Sequence, residues 1–229
     1  MRTLGEGIRP FETDGRVWKV QLDTYQRELE RYGQGTIGLA EELFFHDSVA
    51  VLEMLSASAE MDRDSMRWLW ALRSIDELLD GLGWSLMEKR GLAEHMKDAY
   101  HREFKADKAL RSQLSIKYRN SRRQLEDMLD RSRDAQNPWR DLLRPLDKRR
   151  KVLLPVTERL RQLAAAGRLE VPLQDLLCSY IHMLVNRVVS SDPRKHELVL
   201  YDLLFTHYRS VEQRAKFQEK NDKKIHSVA

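Results

Sequence analysis

The stretch DRDSMRWLWALRSIDELLDGLG, residues 62–83, decides the fold class. Met66, Leu69, Trp70, Ile75, Leu78 and Leu79 recur at helical spacings, with charged residues between them. Gly81 and Gly83 mark the stop, because glycine closes helices without strain. An apolar stripe this wide must be buried against other helices, and the flanking chain carries the same period.

Downstream, SLMEKRGLAEHMKDAYHREF (85–104) continues in helix, with Gly91 as a weak point. Residues 107–133 read as one long charged helix whose apolar positions include Leu110, Leu114, Tyr118, Leu125 and Met128. QNPWRD (136–141) is a turn with Pro138 at the first helical position, and the next helix runs to about Ala166. Over 172–188, Leu173, Leu176, Leu177, Tyr180, Ile181, Leu184 and Val188 form a buried face. SSDPRKHE (190–197) is a cap signal ahead of a last helix that carries Leu198, Val199, Leu203, Leu204 and Tyr208.

Upstream, IGLAEELFFH (37–46) is helical, and FFHDS (44–48) reads as a corner with Asp47 or Ser48 capping a new helix. GRVWKVQLD (15–23) is the one good strand candidate, at about 16–22. The expected fold is therefore mainly α, a helical bundle with one or a few N-terminal β-strands. A single domain is expected over 1–229, with the strand at 16–22, helices over 36–218 and a frayed tail at 219–229.

With 229 residues, 41% hydrophobic and 33% charged, the chain can bury a sizeable core under a charged surface. Only 10 glycines and 6 prolines punctuate it, which favours long helices over many short strands. The 36 acidic residues nearly match the 40 basic ones, which argues against general nucleic-acid binding. A basic zone, Arg119 to Arg133 and then DKRRK (147–151), has acids interleaved in its first part and reads as a solvated helix face. The single cysteine, Cys178, excludes an internal disulfide and suits a reducing cytoplasm. No apolar run approaches the length of a membrane span. No histidines or cysteines have zinc-site spacing, and nucleotide-loop and nucleophile-elbow motifs are missing, so no metal or cofactor is expected.

Two polar clusters stand out. In YQRELERYG (25–33), a helical reading puts Arg27, Glu28 and Arg31 within reach of one face, where paired guanidinium forks bind a carboxylate well. The same spacing also fits an ordinary salt-bridged helix surface. In SYIHMLVNR (179–187), His182 lies at the edge of the apolar face with Asn186 one turn on. An imidazole there can act as acid or base near neutral pH, and the pattern equally fits a hydrogen-bonded core histidine.

DTYQRELERYG (23–33), AEELFFHDS (40–48), SYIHMLVNR (179–187) and RKHELVLYDLL (194–204) occur in this order. Together they resemble the C-terminal elimination domain of lantibiotic dehydratases, also found as stand-alone thiopeptide-type bacteriocin biosynthesis proteins. The likeness spans roughly 17–210. It implies that a glutamylating dehydratase protein or domain esterifies a serine or threonine of a ribosomal precursor peptide. The elimination domain then expels glutamate and leaves dehydroalanine or dehydrobutyrine. The resemblance implies His182, Arg31 and Glu28 as catalytic residues, with Arg27, Tyr25 and Asn186 around the substrate. The partners it implies are the glutamylated peptide and the glutamylating protein.

Family members carry a β-rich stretch with further site arginines ahead of this region. The chain shows no such stretch before residue 17, so a shortened relative, a fragment or half of a split enzyme is expected. Two other activities fit the same motifs. One is a [4+2] cycloaddition that joins two dehydroalanines into a nitrogen heterocycle. The other is non-catalytic binding of a leader peptide or partner.

Overall fold

The computed structural model describes residues 26–57, 63–137 and 139–226. Regular structure among them is helical, and the fold is mainly α. The expected strand at 16–22 and Tyr25 lie outside the described residues. The elements are a single turn α1 (Leu29–Tyr32), then α2 (Ile37–Ala57), α3 (Arg63–Gly81), α4 (Leu86–Glu103) and α5 (Lys108–Leu129). A 3-10 segment (Arg131–Gln136) leads to α6 (Arg140–Ala165), α7 (Leu173–Val188) and α8 (Pro193–His226).

Helix α3 is the hub and packs on α5, α6, α7 and α8. Leu69, Trp70, Leu72, Ile75 and Leu79 are almost fully buried. Arg73, Asp76 and Glu77 on it are buried too. Arg73 donates to Glu77 at 2.7 Å, to the Met128 carbonyl at 2.7 Å and to Asp134 at 2.6 Å. Burial of such a cation is tolerable only because every arm of its fork has an acceptor. The remaining large contacts are α4 on α8 and α2 on α6.

The corner expected at 44–48 does not form. Helix α2 runs unbroken through it, and Asp47 is a fully buried mid-helix residue rather than a cap. Its carboxylate accepts from Arg149 Nε of α6 at 2.6 Å, and a second arm of that guanidinium reaches the Ser74 carbonyl at 3.2 Å. A polar residue that looked like helix punctuation is instead a tertiary ion pair. The long helix expected at 107–133 ends at Leu129, where Asp130 accepts from Ser132 N and caps the 3-10 segment.

Helix α4 opens on a capping box, with Ser85 and Glu88 each bonding the other's backbone, and passes through Gly91 without a break. Helix α8 starts at Pro193, as the cap signal predicts, and continues to His226, into the segment expected to fray. Pro172 and Glu170 lie in the short α6–α7 connection, which lets Glu170 reach back to the start of α2.

Candidate functional site

Tyr32 at the end of α1 is buried, and its ring stacks parallel on Tyr180 of α7 at 5.9 Å. Phe44 of α2 meets both rings edge-on, at 5.3 Å and 5.9 Å. Offset and edge-on pairs of this kind add about 0.5–1.5 kcal/mol each beyond their burial. Gly33 then turns the chain with φ +74, and a Cβ there would come within 2.9 Å of Thr36 Oγ1. The turn presents Gln34 N and Gly35 N to the Glu170 carboxylate, at 2.7 Å and 3.0 Å. The aromatic cluster and the Glu170 clamp together fix α1 against α7.

That placement carries Arg31 to α7, where its Nε donates to Ser179 Oγ at 3.1 Å. Its terminal nitrogen stands 3.5 Å from Glu28 Oε2, and its guanidinium lies 5.6 Å from the Tyr32 ring centre. Both Arg31 and Glu28 remain partly open to solvent. Arg27 goes elsewhere: its Nε donates to Glu41 Oε1 of α2 at 2.8 Å. With α1 only one turn long, Arg27 and Arg31 do not share a helix face. An open depression of about 430 Å³ is lined by Arg27, Glu28, Leu29, Glu30 and Arg31.

Ser179, His182 and Asn186 lie at i, i+3 and i+7 of α7 and so form one stripe beside the buried face. Arg31, held at Ser179, is therefore about one helical turn (~5–6 Å between neighbouring side-chain stems) from His182. His182 Nδ1 is 2.9 Å from Glu197 Oε2. Glu197 is an acceptor, so Nδ1 carries the proton, and Nε2 takes its hydrogen bond from Asn186 Nδ2 at 3.1 Å. The imidazole is partly exposed, whereas Glu197 is wholly buried.

A buried carboxylate needs donors. His182 Nδ1 supplies one, and the Tyr100 hydroxyl of α4 stands near the same carboxylate. Burial first, and then the Glu197 charge, push the Tyr100 phenol well up, which keeps it a donor. Arg194 NH1 in turn donates to Tyr100 OH at 2.8 Å, and Arg194 Nε donates to Glu103 at 3.2 Å. Glu103, Arg194 and Tyr100 thus form one hydrogen-bonded group beside the Glu197–His182–Asn186 group, where α4, α8 and α7 meet. Cys178 beside it is pushed up to about 12, mainly by burial, so it stays a thiol and not a nucleophile.

The sequence singled out His182, Asn186, Arg31 and Glu28, and α1 and α7 bring these together. Glu197, Ser179, Tyr100 and Arg194 were not singled out. Glu197 had a signal: it occupies the same helical face as Tyr201, Leu204 and Tyr208, at i, i+4, i+7 and i+11, where a carboxylate must be buried. Among the described residues, no group of three histidine, cysteine, aspartate or glutamate side chains is placed to hold a metal. Nor is any described helix long and apolar enough to cross a membrane.

The family described as lantibiotic biosynthesis dehydratase C-terminal matches residues 1–208. No curated protein and no solved structure matches the chain. A match over that span settles membership, and it ties the chain to the dehydration of a precursor peptide in lantibiotic biosynthesis. The chain belongs to the lantibiotic biosynthesis dehydratase C-terminal family.

Proposed function

We propose that the chain eliminates glutamate from O-glutamylated serine or threonine of the precursor peptide, with His182 as the base. The observation that supports this most is the His182–Glu197 pair set one turn from Arg31. The hard step of the reaction is loss of the α-proton, since the adjacent amide carbonyl must take up negative charge. His182 Nε2 takes that proton, and the C–H electron pair becomes the Cα–Cβ double bond. The Cβ–O bond breaks, and glutamate leaves as a carboxylate. The imidazolium that forms is stabilised by the buried Glu197 charge, which is already in place before the reaction begins.

Asn186 donates to Nε2 in the resting site and must yield that position to the substrate. Arg31 presents the guanidinium nitrogen not engaged by Ser179 and Glu28 to an anion, either the developing oxyanion or a glutamyl carboxylate. Glu28 steadies Arg31 from the solvent side. The substrate-binding roles of Arg27 and Tyr25 belong to the same proposal, with Arg27 at the rim of the open depression.

The test is incubation of the whole chain with a glutamylated precursor peptide, followed by mass spectrometry and assay of free glutamate. Release of glutamate with loss of the corresponding mass supports the proposal. Heterocycle formation from a peptide that already holds dehydroalanines, without glutamate release, assigns the cycloaddition instead. Peptide binding with neither change assigns a non-catalytic role.

A further inference from the structure

We propose that the cleft between the C-terminal end of α4, the start of α5 and the middle of α8 binds a small phosphate-bearing ligand. The cleft holds about 560 Å³, enough for a phosphomonoester with a modest organic body. Lys97, Arg102, Lys105 and Arg111 line it, against the carboxylates Asp98 and Asp202. Asp202 is committed to His101, whose Nε2 is 3.0 Å away, and Asp98 lies 3.2 Å from Lys97. Among the described residues, Arg102, Lys105 and Arg111 have no carboxylate partner. Cations thus exceed acids by two, which matches a phosphomonoester dianion.

Local structure aims these groups. Arg111 Nε donates to the Ala106 carbonyl at 3.1 Å, which anchors the guanidinium and leaves its two terminal nitrogens for a ligand. A guanidinium edge of that kind fits two phosphate oxygens at once. Lys105 sits where α4 closes: Ala106 N bonds the His101 carbonyl at 2.8 Å and Lys105 N bonds the Arg102 carbonyl at 3.1 Å. Its φ is +49, a position that glycine normally occupies. Lysine there costs about 1 kcal/mol relative to glycine, so its ammonium is kept at some expense in backbone energy. Lys97 Nζ lies 3.8 Å over the Phe205 ring, and that ring gives the ligand body an apolar wall.

Three helices bound the cleft, so it takes one or two phosphate groups and not an extended nucleic-acid backbone. On α4 the residues alternate in allegiance. Tyr100 and Glu103 face Arg194, while His101 and Arg102 face the cleft. The site is separate from the His182 stripe and does not rest on the elimination reaction.

The experiment is calorimetric titration of the whole chain with pyrophosphate at constant ionic strength, with glutamate as the carboxylate control. Saturable one-to-one binding is expected for pyrophosphate and weaker binding for glutamate. Replacing both arginines (R102A/R111A) should weaken pyrophosphate at least about tenfold, the loss of roughly one charge-assisted contact. The control R161A/K216A removes two exposed cations elsewhere and should change nothing. The variant K105G separates binding from folding, because glycine suits that φ: it should melt no lower than wild type and bind about threefold more weakly. No saturable binding, equal weakening by the control pair, unchanged binding in K105G, or glutamate binding as tightly as pyrophosphate would each overturn the proposal. Displacement of pyrophosphate by a single-stranded RNA at lower phosphate concentration would overturn the small-ligand assignment.

Discussion

His182 of α7 and Glu197 of α8 form a pair in which Nδ1 stands 2.9 Å from a carboxylate that is shut off from solvent. They are fifteen positions apart in the chain, across the helix break at residues 189–192. The pair orients the imidazole so that Nε2 meets Asn186, one turn further along α7.

Replacing Glu197 with Gln removes the charge that stabilises the imidazolium and frees Nδ1 from its fixed tautomer. Glutamate release should fall by about 10²–10⁴-fold, the usual worth of an oriented acid–base group. Nitrogen NMR of the histidine ring should show the Nδ1–H form losing its predominance. A wild-type rate in E197Q would remove Glu197 from the mechanism.

Tyr100→Phe deletes the hydroxyl between Arg194 and Glu197. It deprives Arg194 of that acceptor and removes a hydroxyl dipole beside the buried Glu197, at a cost of about 1 kcal/mol. Thermal melting reads that loss, and the catalytic rate should fall together with it. A Phe variant with unchanged melting and unchanged rate would show that Glu197 does not depend on Tyr100.

Arg31→Ala takes away an exposed guanidinium, so folding should be nearly untouched, within about 0.5 kcal/mol. Glutamate release should still drop by about 10²-fold or more, as for loss of an oxyanion donor. Arg31→Lys keeps the charge but not the planar fork and should recover only part of the rate. Full activity in the alanine variant would contradict the assigned role.

The pair Asp47–Arg149 is a fully buried ion pair outside the site. Arg149→Met strands a buried carboxylate and should destabilise the fold by about 3–5 kcal/mol. The double change D47L/R149M removes both charges and should recover most of that loss. Chemical denaturation of the three proteins measures it, and an additive loss in the double variant would contradict the pairing.

Stability should also fall on mild acidification. Burial, opposed by the nearby Asp76 charge, lowers His207 to about 4 from an ordinary 6.5. The folded state therefore prefers the neutral ring, and the unfolded chain binds the extra proton between these values. The contribution is complete above 6.5 and is lost as pH falls toward 4. At about 1.4 kcal/mol per pH unit, the loss is on the order of 3 kcal/mol. Melting temperature followed from pH 7 to pH 4.5 should decline less steeply in His207→Gln than in wild type; equal slopes would remove His207 as the cause.

The helical period of residues 62–83 was enough to read a mainly α fold, because an apolar stripe at that spacing has few other uses. The start of the last helix at Pro193 was legible, because proline at a first helical position is a local signal. Asp47 misled because the same residue types that cap helices also pair across them, and its partner lies 102 positions away. Arg31 and His182 stood out as charges beside apolar or aromatic runs. Glu197, Tyr100 and Arg194 were hidden, since their roles exist only once α4, α7 and α8 are packed together. The expected sharing of one face by Arg27 and Arg31 failed because α1 starts only at Leu29, so Arg27 lies ahead of the helix and pairs with Glu41.

In the proposed reaction His182 takes the α-proton beside an anion site held by Arg31. Single-turnover glutamate release from a glutamylated peptide, compared between wild type and His182→Gln, tests it most directly. A fall of at least about 10²-fold is expected in the variant, with peptide binding retained. A variant that releases glutamate at the wild-type rate would contradict it.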